Sequence, residues 1–163
     1  VPYVEGDEAK LGPIVNAEYF GTVPAERLRV ADGVIRFSGD GQYRSKIGLT
    51  PQRAKPVLGS YDATRQLLTL VQYTKPEGAT DYVNSMWELQ DEPFKGDVVN
   101  SYNDGPPRPG AKPLGPFYEL ESSSPALALK PGESATHIHR TIHLQGDEAA
   151  IRRLGKSLLG AIE

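Results

Sequence analysis

The segment LLTLVQY, residues 67–73, decides the fold class of this 163-residue chain. It joins apolar, β-branched and aromatic side chains in a short run, which is typical of a β-strand. The turn-like residues 62–65 (DATR) precede it, and the loop residues 74–80 (TKPEGAT) follow it. Before that turn, residues 57–61 (VLGSY) form another extended run. The sequence therefore predicts short strands separated by turns.

The same pattern recurs through most of the chain. Further strands are predicted at residues 34–37 (VIRF), 43–49 (YRSKIGL), 82–89 (YVNSMWEL), 117–121 (FYELE), 126–129 and 134–144. The turn cluster at residues 38–41 (SGDG) predicts a hairpin between the first two. Trp87, the only tryptophan, lies in an apolar run. We expect it in the core, with a stacking platform for a sugar ring as the alternative.

Residues 100–116 (NSYNDGPPRPGAKPLGP) break this pattern with five prolines and three glycines. Such a segment is predicted to be an ordered functional loop or a mobile flap, and composition does not decide between them.

One stretch is predicted to be helical, at about residues 147–160. Asp147 can cap its start and Gly160 can end it. The apolar residues of this stretch recur as a single stripe, namely Ile151, Leu154, Leu158 and Ile162. Many short strands and one terminal helix predict an all-β fold, an antiparallel β-sandwich with a C-terminal helix. We expect residues 1–163 to form a single such domain or the C-terminal half of a larger one.

Composition excludes several classes of function. The net charge of −3 argues against a nucleic-acid partner, and no apolar run is long enough to span a membrane. The absence of cysteine excludes disulfide scaffolds, thiolate metal sites and cysteine nucleophiles, and no cofactor is predicted. Because the chain starts at Val1, we expect that a signal peptide or a larger N-terminal part was removed, or that Val1 is an artificial boundary. A signal peptide would direct the protein to the periplasm or outside the cell.

Two carboxylates are the first candidate for chemistry. Glu119 and Glu121 alternate along the predicted strand 117–121 and so share one of its faces. Like charges at roughly 7 Å, partly desolvated, raise the pKa of one carboxyl and prepare it for acid–base work near neutral pH. The alternative is a solvated polar face on an edge strand.

All three histidines, His137, His139 and His143, lie in one predicted strand and would face the same way. His137 and His139 form an HxH pair that could bind one metal ion, as in the first metal motif of cupins. His143 lies about 13 Å further along, too far for the same ion. The alternative is a polar strand face on which the histidines form hydrogen bonds.

Amide and aromatic side chains are the third candidate. Tyr102 and Asn103 offer a flat face and paired donors and acceptors, which suit sugar rings and hydroxyls but also a tight turn. Arg44 and Lys46 share a strand face that becomes part of a site only if it lines the same cleft as Glu119 or Glu121.

Read in order, the last sixty or so residues resemble the C-terminal part of the galactose mutarotase (aldose 1-epimerase) superfamily. The resemblance is carried by residues 101–105 (SYNDG), Leu120-Glu121, residues 122–125 (SSSP), the turn 129–133 (LKPGE) and the strand 135–144. The whole chain is also similar to a group of uncharacterised bacterial proteins with this fold.

This resemblance implies a large sandwich with an open carbohydrate-binding cleft, in which Glu121 matches the general base that removes a proton from the anomeric hydroxyl. No histidine precedes His137, so no residue matches the upstream catalytic histidine of that family. Domains of that family are roughly twice this size. A missing N-terminal half or a second chain is therefore an expected partner.

The sequence thus predicts a carbohydrate-binding protein of mutarotase type, whose cleft includes Glu119, Glu121, Tyr102, Asn103, Arg44 and His139. Two alternatives stay open. One is a metal-dependent, cupin-like enzyme that uses His137 and His139, and the other is a structural or interaction module without a small-molecule site.

Overall fold

The fold was obtained as a computed structural model, which describes residues 1–160. Antiparallel strands dominate it, as predicted, so the all-β fold class is confirmed. In chain order the elements are α1 (Glu8–Leu11), β1 (Leu28–Ala31), β2 (Val34–Phe37), β3 (Ser45–Leu49), β4 (Val57–Asp62), β5 (Leu67–Tyr73), β6 (Val99–Asn103), β7 (Tyr118–Ser122), β8 (His139–Gln145) and α2 (Glu148–Leu159). The strands form three sheets, ordered β1–β2, β3–β6–β7 and β4–β5–β8.

The main core lies between the two three-stranded sheets. Side chains from both sheets join it, including Ile47, Leu49 and Val99 from one and Leu58, Val71 and Tyr73 from the other. Each is buried to more than nine-tenths. Burial of apolar surface, worth about 25 cal/mol per Å², is what holds the two sheets together.

The sheet β4–β5–β8 is built around β5, the strand predicted at residues 67–73. β4 and β5, which were predicted as strands separated by a turn, pair as a hairpin, and β8 pairs with the other side of β5. Alternate residues of β5 therefore face opposite layers. Val71 faces the main core, whereas Leu68 and Leu70 pack with helix α2 in a second apolar cluster.

Helix α2 begins and ends as predicted. The Asp147 carboxylate accepts a hydrogen bond of 2.9 Å from the amide of Ala150, and Gly160 ends the helix at φ 85°. The predicted stripe is correct only at Ile151, because the buried residues are Ile151, Gly155 and Leu159. Leu154 and Leu158 are exposed, and Ile162 lies outside the described residues. The face that the helix buries is thus rotated from the predicted one.

The predicted hairpin between residues 34–37 and 43–49 is wrong. β2 pairs instead with β1, while β3 pairs with β6 far along the chain. The turn between β1 and β2 is Asp32-Gly33, and both residues have positive φ, 53° and 71°. An Asp-Gly turn with two positive φ angles matches the right-handed twist of a hairpin, so it takes precedence over the longer cluster at 38–41.

Three further segments differ from the prediction. Residues 82–89 form no strand: Tyr82 makes one isolated bridge, and Trp87 is almost fully exposed rather than in the core. Residues 126–129 are not a strand either. Residues 99–103, expected largely as loop, form the central strand β6.

The short helix α1, which the sequence pattern did not indicate, is capped by Asp7. Within residues 1–160, neither helix has the length and apolar character needed to cross a membrane.

Candidate functional site

The candidate site lies on the outer face of the sheet β3–β6–β7, which points away from the main core. Strand pairing places Lys46, Tyr102 and Glu119 in one row across this face. The next row consists of Gly48, Asn100 and Glu121. Directly paired residues point to the same side of a sheet, so the predicted Glu119 and Glu121 do share one face.

A cavity of about 330 Å³ opens over the first of these rows. We call it the outer-face cavity. It is lined by Tyr19, Phe20, Arg44, Lys46, Ser85, Met86, Trp87, Glu88, Tyr102, Leu114, Phe117 and Glu119. Three of the six residues predicted for the cleft, Arg44, Tyr102 and Glu119, therefore line one cavity. Arg44 and Lys46 satisfy the condition set for them, because they line the same cleft as Glu119.

Aromatic rings form much of the wall of this cavity. Tyr102 contacts Phe20 edge to face at 5.8 Å between ring centroids, and it contacts Phe117 at 5.9 Å. The guanidinium of Arg44 lies 4.2 Å from the centroid of the Phe20 ring. Trp87 lines the cavity with 98% of its surface exposed. An aromatic ring this exposed beside a cavity is available to stack on a ligand.

The two glutamates of the sheet face differ in their surroundings. Glu119 lines the cavity, and its pKa is raised by desolvation, with a further contribution from the negative charge of Glu121. Lys46 acts in the opposite direction on the same pKa. Glu121 does not line the cavity and accepts a hydrogen bond of 3.2 Å from the Lys46 ammonium. The carboxyl at the cavity, Glu119, therefore binds its proton more tightly than usual, whereas Glu121 lies outside the cavity lining and is ion-paired.

A buried polar network lies behind Lys46. The Tyr19 hydroxyl donates to the Asp97 carboxylate at 2.6 Å, and the Asn100 amide donates to the Tyr19 hydroxyl at 3.0 Å. Desolvation raises the pKa of Asp97, although hydrogen bonds from Tyr19 and Asn16 oppose this effect. Gly48 makes the network possible, because a Cβ at this position would overlap the Asp97 carboxylate. The network thus fixes the Tyr19 ring, which lies 5.4 Å from the Lys46 ammonium.

Sequence reasoning missed Tyr19, Phe20 and Asp97. The segment that carries the first two has no regular strand or helix, and it reaches the site because Asn16 bridges to Gly48 at the edge of β3. The paired backbone hydrogen bonds of this bridge measure 2.8 and 2.9 Å. A periodic pattern of apolar residues does not predict such a contact, because the contact joins residues far apart in the sequence.

Asp104 holds the start and the end of the proline-rich loop together. Tyr102 donates its hydroxyl to this carboxylate at 2.7 Å, and the amide of Gly115 donates to it at 2.8 Å. Burial acts to raise the pKa of Asp104, but these hydrogen bonds outweigh burial and lower it. Leu114 and Phe117 are thereby held at the cavity wall, which favours an ordered functional loop over a mobile flap.

Asn103, predicted to bind substrate, does not reach the cavity. It follows Tyr102 on β6 and so points to the opposite face of the sheet. Its side chain is fully buried, accepts a hydrogen bond from the amide of Gly41 at 2.8 Å and donates to the carbonyl of Tyr43 at 2.8 Å. Asn103 therefore fixes the chain leading into β3, as the turn alternative anticipated.

The histidines lie away from the outer-face cavity, and His139 and His143 are exposed. His137 and His139 both contact the Ser122 hydroxyl, at 3.0 and 2.8 Å, on the face of β7 opposite Glu119 and Glu121. His143 instead bonds Thr69 at 3.0 Å. His139 thus does not line the cavity with Arg44. Among residues 1–160, no three histidine or acidic side chains converge to hold a metal ion, so the HxH pair lacks a third ligand there.

A larger cavity, about 820 Å³, opens between the sheets. Ser60 and Tyr118 on its walls bond to each other at 2.8 Å. None of the predicted site residues lines it. The smaller outer-face cavity is therefore where the sequence-based candidates and the geometry coincide.

Residues 1–162 match the family of unknown function DUF6786, and the chain belongs to that family. No curated protein and no solved structure matches the chain. The likeness to the galactose mutarotase superfamily remains an expectation from sequence, and function has to be argued from the site.

Proposed function

We propose that this protein binds carbohydrate in the outer-face cavity. The observation that carries the proposal is the combination of an exposed tryptophan with polar and charged groups in a single cavity. Sugar rings present apolar C–H faces that stack on aromatic rings, and their hydroxyls both donate and accept hydrogen bonds. Trp87 supplies the stacking surface, while Lys46 and Glu119 supply donor and acceptor.

The size and depth of the cavity support the same ligand class. Its volume of about 330 Å³ is at the lower end of the range for small-molecule sites, about 300–1,000 Å³, and suits a short saccharide. Tyr102 packs against both Phe20 and Phe117, so this part of the wall is formed before a ligand arrives.

The test is a glycan screen followed by calorimetric titration of the best glycan with the whole chain. Trp87→Ala should weaken binding by about fivefold to 150-fold, because stacking on one aromatic ring contributes roughly 1–3 kcal/mol. Leu89→Ala is the matched control, since Leu89 lies in the same segment, is fully exposed and does not line the cavity. No glycan binding, or equal effects of the two variants, would contradict the proposal.

The glutamate pair favours a second, catalytic candidate: interconversion of sugar anomers. In this reaction a base takes the proton of the anomeric hydroxyl, the bond between the anomeric carbon and the ring oxygen breaks, and an acid protonates that oxygen. Glu121 is the base expected from the resemblance; it lies one row from Glu119 on the same sheet face, beside the cavity lining, and is ion-paired with Lys46. Glu119, which lines the cavity and whose pKa is raised by burial and by Glu121, is suited to be the acid.

NMR of anomer exchange tests this candidate with the glycan that binds best. Acceleration by the wild type should fall by about a hundredfold or more in Glu121→Gln and Glu119→Gln, because a positioned acid or base contributes roughly 10²–10⁴. Glu133→Gln, at an exposed turn, is the control. Binding without any acceleration by the wild type would leave the protein a carbohydrate-binding protein only.

A further inference from the structure

We infer that the saccharide carries an anionic group and that Arg44 binds it. This inference rests on the proposed carbohydrate-binding function and specifies its ligand class. It starts from a difference among the cations of the site: Lys46 already has a carboxylate partner, whereas Arg44 has an aromatic one.

Of the two cations on the cavity wall, Lys46 has a carboxylate partner and Arg44 has none within the described residues. Lys46 bonds Glu121 at 3.2 Å, and Asp97 accepts hydrogen bonds from Tyr19 and Asn16. The remaining acidic residues on the wall are Glu88 and Glu119. Within the part of the chain that the structure describes, neither of them forms an ion pair with Arg44.

The position of Arg44 prepares it for an anion. Its guanidinium lies 4.2 Å from the centroid of the Phe20 ring, and Phe20 in turn packs against Tyr102. Stacking occupies the face of a guanidinium and leaves its in-plane N–H groups to donate. Arg44 also interacts with the Tyr102 side chain, and a guanidinium has five N–H donors, so donors remain for an anion. Because the ring restricts the side chain, less rotamer freedom is lost when an anion binds.

The paired N–H donors of the Arg44 guanidinium define the chemical class of the ligand. Two parallel N–H donors match the two oxygens of a carboxylate, and they match a sulfate or phosphate ester equally well. A neutral hexose offers only hydroxyls to this group, which are weaker acceptors than an anion. The ligand class is therefore an anionic saccharide, either a uronic acid or a sugar ester of sulfate or phosphate.

The experiment compares matched ligands by calorimetry on the whole chain: a galacturonic acid oligosaccharide, the galactose oligosaccharide of the same length, and its sulfated form. We expect at least one anionic ligand to bind the wild type about tenfold to a hundredfold more tightly than the neutral one. This preference should shrink as salt is raised. Tighter binding of the galacturonic acid form assigns a uronic acid, and tighter binding of the sulfated form assigns an ester.

Two variants and a control tie the preference to Arg44. Arg44→Gln should bring the anionic and neutral affinities within about twofold of each other, and Arg44→Lys should restore part of the preference. Arg153→Gln removes the same charge from an exposed helix position and should leave the preference unchanged.

Two results would overturn the inference, and they differ in whether the proposed carbohydrate-binding function is also rejected. Equal binding of anionic and neutral ligands by the wild type, with Trp87→Ala still weakening both, rejects the anionic ligand but keeps the proposed function. No binding of any saccharide, with or without charge, rejects both.

Discussion

The two faces of the sheet β3–β6–β7 have opposite roles although they are built from alternate residues of the same strands. The inner face presents Ile47, Leu49 and Val99 to the main core. The outer face presents Lys46 and Glu119 to a solvent-connected cavity. Because side chains alternate along a strand, one residue packs in the core and stabilises the fold, while its neighbour in sequence faces the candidate site. The comparison yields a series of variants with decreasing effects on stability.

The largest effect on stability is expected on the inner face. Ile47 is completely buried, so Ile47→Ala should lower the free energy of unfolding by about 2–5 kcal/mol through lost burial and the cavity left behind. Urea denaturation measures this. Val30→Ala, at a partly exposed position on β1, is the control and should change stability by no more than about 0.5 kcal/mol. Equal losses in the two variants would contradict the assignment of the inner face.

A smaller loss is expected from Gly48→Ala on the outer face, about 1–3 kcal/mol. The added Cβ would overlap the Asp97 carboxylate and lie 2.7 Å from the amide nitrogen of Asn100, so the buried network must shift. The same substitution made together with Asp97→Ala should cost less than it does alone. If its cost in urea denaturation is the same in both backgrounds, crowding at Asp97 is not the cause.

The third variant, Glu119→Gln, tests the sign of a pH effect. The pKa of Glu119 in the folded protein lies above its ordinary value of 4.5, so the folded state binds this proton more tightly than the unfolded state does. This contribution to stability is complete below the ordinary value and is lost as the pH rises through the raised pKa.

Thermal unfolding at about pH 4 and about pH 7 measures it. The stability of Glu119→Gln relative to that of the wild type should be greater at the higher pH than at the lower pH. Glu26→Gln, at an exposed site away from the cavity, is the control and should show a smaller change. A loss of relative stability in Glu119→Gln over the same interval would contradict the raised pKa.

The smallest effect on stability is expected at the mouth of the cavity. Trp87 is 98% exposed, so Trp87→Ala should leave the free energy of unfolding within about 0.5 kcal/mol of the wild type. Urea denaturation checks this value. If Trp87→Ala lowers the free energy of unfolding as much as Ile47→Ala does, Trp87 is a core residue, as its apolar neighbours first suggested. It would then not be available as a stacking surface.

Local sequence signals predicted the elements whose contacts are local or strongly patterned. β5 and the ends of α2 follow from β-propensity, an Asp cap and a C-terminal glycine. Arg44, Tyr102 and Glu119, which the sequence offered as candidates for one cleft, line the same cavity. Strand alternation predicted the side of Glu119, whereas Tyr102 was expected in a loop.

Long-range contacts explain the errors. β3 pairs with β6 rather than with its neighbour in sequence, and this pairing converts a polar segment, NSYN, into a buried central strand. Asn103 is a buried structural residue for the same reason. Trp87 is exposed because its segment forms no strand, a result that its apolar neighbours in sequence do not reveal.

The central claim is that the outer face binds a saccharide beside Trp87, and the chain supplies its own probe. Trp87 is the only tryptophan, so intrinsic tryptophan fluorescence reports on the mouth of the cavity alone. During titration with the glycan that binds best, the fluorescence should change with saturation and with the same Kd as calorimetry. Heat of binding without any fluorescence change would place the ligand elsewhere and contradict the claim.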